Sequence, residues 1–214
     1  MRSETFTILT GVGIVILLFT GQPLLAGEYN RVMSVGDPLP RFGTFPATDN
    51  TVLSLNEVSE DVLVLAFLAN HCPWVRGAEA DLIKLADAMK ARSVRVVGVS
   101  VNHRKEDRLP AMKEHASEFG YNFTYVFDES QDLGRKLGAS RTPVFFVFDS
   151  ARRLVYTGLL HNSPGQMRRN GSVHYTKGDP TEFYVKDAIE AALDGMAAPV
   201  PETRAHGCNI EYVR

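Results

Sequence analysis

The stretch "FLANHCPWVRGAE" (67–79) places a cysteine and a proline where a buried strand gives way to a helix. A cysteine in that place can act as a nucleophile. Unpaired backbone N–H groups and the positive end of the helix macrodipole both favour a thiolate, and the thiolate is the attacking form. Pro73 suits the first helical turn, where its missing N–H costs nothing. His71, if protonated, favours the same charged form, and Trp74 would wall the sulfur with apolar surface. A redox site of this kind usually carries a second cysteine at the fourth position of C-P-W-V, but Val75 stands there. The other cysteine of the chain is Cys208, far away in sequence. The plainer reading makes Cys72 a small buried hydrophobe, as most free cysteines are.

The surrounding pattern indicates what must position Cys72. "DVLVLAF" (61–67) is a continuous apolar run, as in a strand covered on both faces. Val75, Ala78, Leu82, Leu85 and Met89 then mark one face of an amphipathic helix. "VRVVGVSVN" (94–102) reads as a second buried strand and "LPAMKEHASEFG" (109–120) as a helix stopping at a glycine. A short strand, "FTYVF", and a small helix, "SQDLGRKLG", follow. "TPVFFVFD" (142–149) and "RLVYTGLL" (153–160) read as strands joined by the turn "SAR". A loop rich in Gly, Ser and Asn then runs to Asp179 and Pro180, the expected cap and first position of a last helix. His161 and His174 fall in that loop and are expected in solvent. Residues 35–58 read as short extended pieces around turns, and the tail is Pro-rich and extended. A parallel βαβ half followed by an antiparallel hairpin gives a mixed α/β sandwich.

With 214 residues, 44% of them hydrophobic and 22% charged, the chain suits one globular domain with a sizeable core. A net charge of -2 carries no basic excess, so no nucleic-acid partner is expected. The N-terminus stands apart. No charge falls between Glu4 and Glu28, and "ILTGVGIVILLF" (8–19) is strongly apolar. This layout fits a secretory signal peptide cleaved after Ala26 or Gly27. The run is also long enough for an uncleaved membrane anchor through residues 6–26. Either reading exports the rest of the chain, for instance to the periplasm, where two cysteines permit one disulfide. The expected division is a signal or anchor over 1–26, a domain over 27–195, and a tail over 196–214 that carries Cys208.

Three motifs together carry a family resemblance. "NHCPWV", "TPVFFVFD" and the tail's "GCNI" resemble the redoxin proteins of the thioredoxin-like superfamily, grouped with the alkyl hydroperoxide reductase and thiol-specific antioxidant proteins. The similarity runs from about Val35 to Ile210. It implies a thioredoxin fold, a central mixed β-sheet with helices on both faces. It implies a thiol site at Cys72, with Asn70, His71, Pro73, Trp74, Thr142 and Pro143 as its surroundings. Thr142-Pro143 would be the family's cis-proline loop, lying opposite the cysteine, where the backbone of Thr142 can pair with an extended substrate. Read from the residues alone, a trans proline at the start of an edge strand stays open. One pattern is missing: in P-x-x-x-[T/S]-x-x-C of the peroxidases, Leu65 takes the proline position and Ala69 the hydroxyl position. Arg141 does not align with the peroxide-binding arginine either. Both departures favour disulfide exchange over peroxide reduction.

The resemblance also implies Cys208 as resolving partner, on a tail able to cross the domain, with His206-Gly207 letting the backbone turn. A structural staple stays open, since closing so long a loop stabilises by roughly 5 kcal/mol in the chain-entropy model. Six histidines raise a metal reading. Cys72, Cys208 and His206 would form a soft Cu(I) or zinc site only if the tail folded back, and neither metal nor bound cofactor is expected. The expected function is an exported thiol oxidoreductase with Cys72 and Cys208 as catalytic residues. Its substrates would be protein or small-molecule thiols and disulfides, with a separate reductant, and electrons would pass by thiol-disulfide exchange. A weak thiol peroxidase and a non-catalytic binding module stapled by Cys72–Cys208 are the alternatives.

Overall fold

The computed structural model describes residues 27–213, so the leader expected over 1–26 lies outside the described residues. Two short strands, β1 (Thr44–Pro46) and β2 (Val52–Ser54), pair antiparallel ahead of the main sheet. The chain then enters the core as β3 (Val62–Leu68) and turns into α1 (Pro73–Met89). β4 (Val94–Ser100), α2 (Leu109–Glu118), β5 (Thr124–Phe127) and α3 (Asp132–Leu137) follow. Pro143 separates β6 (Arg141–Thr142) from β7 (Val144–Phe148), and β8 (Leu154–Gly158) returns beside it. A hairpin of β9 (Gly165–Met167) and β10 (Val173–Tyr175), then α4 (Tyr184–Leu193) and the short β11 (Cys208–Asn209), complete the order.

The main sheet runs β5-β4-β3-β7-β8. β3, β4 and β5 are parallel, whereas β7 is antiparallel to β3 and to β8. This is the expected mixed sheet of a thioredoxin fold. Side-chain alternation builds a core on each face. Val62, Val64, Ala66 and Leu68 join Phe145, Val147 and the α1 residues Val75, Ala78, Leu82, Leu85 and Met89. Leu63, Leu65 and Phe67 face the other way, towards Val144, Phe146, Phe148, Leu133 and Leu137. Phe67 and Phe146 meet edge to face there, with ring centroids 5.5 Å apart. Each such Leu or Phe contributes about 1.5–3 kcal/mol by leaving water. A strand covered on both faces needs apolar residues at every position, and for this reason 62–68 reads as an unbroken apolar run.

Two expectations fail between positions 161 and 184. The last helix starts at Tyr184, with Phe183 as its N-cap, rather than at Pro180. The Asn162 N–H donates to the Glu182 carbonyl at 3.0 Å, and Asn162 Oδ1 accepts from the Thr181 N–H at 3.1 Å. These bonds hold 181–182 against a loop and compete with an earlier helical turn. The polar loop, in turn, contains the β9–β10 hairpin and carries His161 into the interior at 2% exposure. There it lies between the rings of Tyr175 and Phe183, with Nε2 3.4 Å from Asp81. His174 is exposed, as expected.

The tail is extended, but it is fastened along its length. The Thr157 N–H donates to the Pro201 carbonyl at 3.2 Å and the Thr203 N–H to the Thr157 carbonyl at 3.0 Å, covering the outer edge of β8. Farther on, β11 pairs antiparallel with β6, setting Cys208 opposite Thr142 and Asn209 opposite Arg141. The Ile210 N–H donates to the Ser140 carbonyl and the Glu211 N–H to Asn102 Oδ1, both at 3.0 Å. Val213 closes the run with an N–H to Gln131 Oε1 at 2.8 Å. Among the described residues no helix is long and apolar enough to cross a membrane.

Helix α1 packs very closely on β9. A Cβ added at Gly77 would lie 2.3 Å from the Gly165 carbonyl oxygen. Helix propensity alone predicts that Gly77→Ala stabilises by about 1 kcal/mol. The contact reverses the sign, and the variant is expected to lose about 1–3 kcal/mol, as overpacked cores do. Urea unfolding of the reduced protein measures it. A gain in stability would mean that β9 does not rest on α1.

Candidate functional site

Cys72 caps α1 with extended backbone, φ -83° and ψ 118°, and Pro73 opens the helix. Its N–H donates to the Ala69 carbonyl, and its own carbonyl accepts from the Arg76 N–H, both at 3.0 Å. The turn from β3 into α1 therefore holds the sulfur through the main chain. The Cys72 side chain is fully buried, and its thiol donates to the Thr142 carbonyl oxygen at 3.2 Å. The Thr142–Pro143 peptide bond is cis, as the family resemblance implied. The Thr142 hydroxyl is buried without a hydrogen-bond partner among the described residues.

Cys208 arrives from the opposite side, on β11. Both thiols are free, and they lie near each other. Burial above all, and then the hydrogen bond and charge of the Cys72 sulfur, push the Cys208 thiol up to about 12. Cys208 is therefore a thiol at neutral pH and becomes a nucleophile only when a base removes its proton. The elements thus unite Cys72, Thr142, Pro143 and Cys208, which are scattered along the sequence.

Asn70 and His71 are held just before the sulfur. Asn70 Nδ2 donates to the Glu106 carbonyl at 2.8 Å, and its Oδ1 accepts from the Tyr125 hydroxyl at 3.1 Å. His71 Nδ1 lies 2.5 Å from Asp107 Oδ2, and its backbone N–H donates to Asp107 Oδ1 at 3.3 Å. Asp107 is fully buried, and its two carboxylate oxygens hold His71 by the ring and by the backbone N–H. The sequence reading missed Asp107. It lies in "HRKEDRLP" (103–110), a charge run of the kind that usually faces solvent, and only the return of the chain beneath His71 gives it a role.

The tail's other contacts were equally hidden. Trp74 packs edge to face on His206, centroids 4.3 Å apart, so the apolar wall is shared with the tail. Arg141 Nη1 donates to the Gly207 carbonyl at 2.8 Å. Gly207 has φ +143°, and a Cβ there would lie 2.1 Å from the Thr142 carbonyl oxygen. His206 is therefore a packing partner in this arrangement. Among the described residues no three His, Cys, Asp or Glu side chains gather as a metal-binding group.

Residues 34–172 match the Redoxin family model, well over half of the chain, and the chain belongs to that family. No curated protein matches its sequence. Several solved structures are similar to it. A hypothetical protein from Sinorhizobium meliloti 1021 is 28% identical with a TM-score of 0.74, over 85% of this chain and 96% of that one. An uncharacterized conserved protein from Geobacillus kaustophilus is 29% identical with a TM-score of 0.74, over 86% and 95%. The thioredoxin domain of a thiol-disulfide oxidoreductase from Bacteroides vulgatus is 22% identical with a TM-score of 0.52, over 59% and 89%. That last likeness concerns the fold.

The raised Cys208 thiol generates a direct test. Cys72→Ala removes two of the causes that push it up, leaving burial. The midpoint of Cys208 alkylation by iodoacetamide, followed against pH by mass spectrometry, is expected to fall from about 12 towards the ordinary thiol range in that variant. An unchanged midpoint would mean that burial alone raises the Cys208 thiol and that the Cys72 sulfur contributes nothing to it.

Proposed function

We propose that this Redoxin-family chain is an exported thiol-disulfide oxidoreductase, with Cys72 as the attacking sulfur and Cys208 as its resolving partner. The observation that carries the reading is the meeting of two free thiols, one on a helix N-terminus and one on the tail, beside the Thr142 carbonyl. The Cys72 thiolate attacks one sulfur of a substrate disulfide, forming a mixed disulfide and releasing one substrate thiolate. Cys208 loses its proton and attacks the Cys72 sulfur, releasing the second. Two electrons have then passed to the substrate, and the protein holds a Cys72–Cys208 disulfide. The same steps in reverse oxidise a dithiol. His71, the residue before Cys72 and fixed by Asp107, is the candidate acid–base side chain for this exchange. Exchange of this type needs no bound cofactor.

Two features support disulfide exchange over peroxide reduction. Ala69 offers no hydroxyl, and the Arg141 guanidinium is engaged by the Gly207 carbonyl. The full burial of Cys72 favours a second reading, a binding module stapled by a permanent Cys72–Cys208 bond. Export rests on the apolar leader and the absence of charge between Glu4 and Glu28. Cell fractionation with an antibody to the chain tests it, and a cytosolic protein would remove the oxidising compartment from the argument.

Oxidation is expected to yield one intramolecular Cys72–Cys208 disulfide, read by peptide mapping of the monomer. A glutathione titration is expected to place its potential above about -300 mV, the level below which structural disulfides usually lie. A lower potential assigns the bond to the staple reading. Hydrogen peroxide is expected to oxidise Cys72 no faster than a free thiolate, and a much larger stopped-flow rate would make the protein a peroxidase.

A further inference from the structure

A cavity lies away from the thiols, between α1, the start of α4 and the chain leaving β8. It holds about 210 Å³, and none of the residues around Cys72 lines it. Leu85 and Met89 of α1, Leu160 after β8 and Phe183 before α4 make its apolar walls. The bonds of Asn162 to Thr181 and Glu182, which delay α4, also keep Phe183 at the rim, where it is 45% exposed. Its ring meets that of His161 edge to face, with centroids 6.4 Å apart. Such a pair accepts a third ring in offset or T-shaped contact. A cavity of about 150 Å³ accepts benzene, so this one has room for a phenyl ring with a short chain.

The charged part of the lining favours an anion. Asp81 is its one acid among the described residues, and that charge is engaged within the protein. His161 Nε2 lies 3.4 Å from Asp81, and the Tyr175 hydroxyl donates to it at 2.7 Å. The His161 contact first, and the Tyr175 hydroxyl after it, hold Asp81 below the usual carboxylate range. Lys84 and Lys186 stand exposed at the mouth. Lys84 reaches Asp81 only loosely, at 3.8 Å, and Lys186 has no ion-pair partner among the described residues. His161 itself is 2% exposed, and neither ring nitrogen has a hydrogen-bond partner among the described residues. Fold stability gives no reason for a polar ring left so in an apolar wall.

We propose that this cavity is a binding site for a small aromatic monocarboxylate, its ring against Leu85, Leu160 and Phe183 and its carboxylate at Lys84 and Lys186. The site is separate from the thiol chemistry and adds a ligand to the protein. Charge decides among ligands of one shape: a neutral analogue loses the attraction of the two ammonium groups, and a cationic one is repelled by them. Salt screens the preference, because the lysines stand at an exposed mouth.

The test titrates the full-length, isotope-labelled protein at low salt with phenylpropionate, phenylpropanol and phenylpropylamine, followed by amide chemical shifts. Phenylpropionate is expected to bind saturably, with shifts centred on Leu85, Leu160, His161 and Phe183, and about tenfold more tightly than the alcohol. The amine is expected to bind more weakly still. Lys186→Gln is expected to raise the dissociation constant of phenylpropionate about two- to fivefold, the scale of an exposed ion pair, and to leave that of the alcohol unchanged. Ala88→Trp is expected to abolish binding, because Ala88 lines the cavity from an exposed position of α1 and an indole there fills it. Lys186→Gln keeps the test open where Ala88→Trp fails to fold. Equal affinity for acid and alcohol, shifts centred outside the cavity, or unchanged binding by a folded Ala88→Trp protein would each overturn the proposal. So would the absence of saturable binding by phenylpropionate up to about 10 mM. None of these outcomes touches the exchange reading.

Discussion

The Thr142 carbonyl oxygen is the constraint around which the site is built, because the turn before α1 and the tail must both fit against it. It accepts the Cys72 thiol at 3.2 Å, β11 pairs against its residue, and it leaves no room for a side chain at position 207. Its own position is set far from the thiols. β7 pairs with β3 from Phe148 opposite Leu63 to Val144 opposite Phe67, and this register carries Thr142-Pro143 to the end of β3, where α1 begins. A slip of one residue would turn every side chain of β7 to the other face. It would bury Phe145 where Phe146 now meets Phe67, so the two cores hold the register and the register holds the carbonyl.

Moving the second thiol from the helix to the tail changes what the protein can do with it. A cysteine in place of Val75 would ride on α1 and keep a fixed distance from Cys72. Val75 is instead fully buried in the core, and the thiol that meets Cys72 comes on a strap fastened mainly by backbone and ion-pair contacts. With both sulfurs free, the strap already lies in place. The loop-closure advantage of a disulfide acts mainly on the unfolded chain.

Charge is placed with equal economy. Asp107 is fully buried but holds His71 through its side chain and its backbone N–H. A buried carboxylate is costly unless its oxygens are paired, and this pairing also fixes the imidazole of the residue before Cys72. Arg141 shows the converse. Its place near the site invites a catalytic role, yet its guanidinium goes to the Gly207 carbonyl and so fastens the tail.

Local pattern was sufficient for much of this. The apolar run at 62–68, the helical spacing of Val75, Ala78, Leu82, Leu85 and Met89, the β-branched strand at 94–100 and the Val- and Phe-built strand at 144–148 specify a mixed α/β sandwich. Burial on one or two faces leaves a period in the sequence. Cys-Pro at a strand-to-helix junction marked the thiol, since chemistry at a helix N-terminus depends on adjacent residues. The last helix, by contrast, begins at Tyr184 and not at Pro180, because Asn162 ties up the chain before it. His161 is buried in a loop of polar composition, because β9 rests on α1 and brings the loop with it. Asp107 beneath His71, Gly207 against Thr142 and Arg104 with Glu211 are contacts between segments far apart in sequence. Their energies come from proximity that no periodicity records. The sequence by itself determined the fold class and the position of the helix-capping cysteine, and the tertiary structure alone decided what stands around it, because hydrogen bonds and close packing between distant segments exist only after the sheet has assembled.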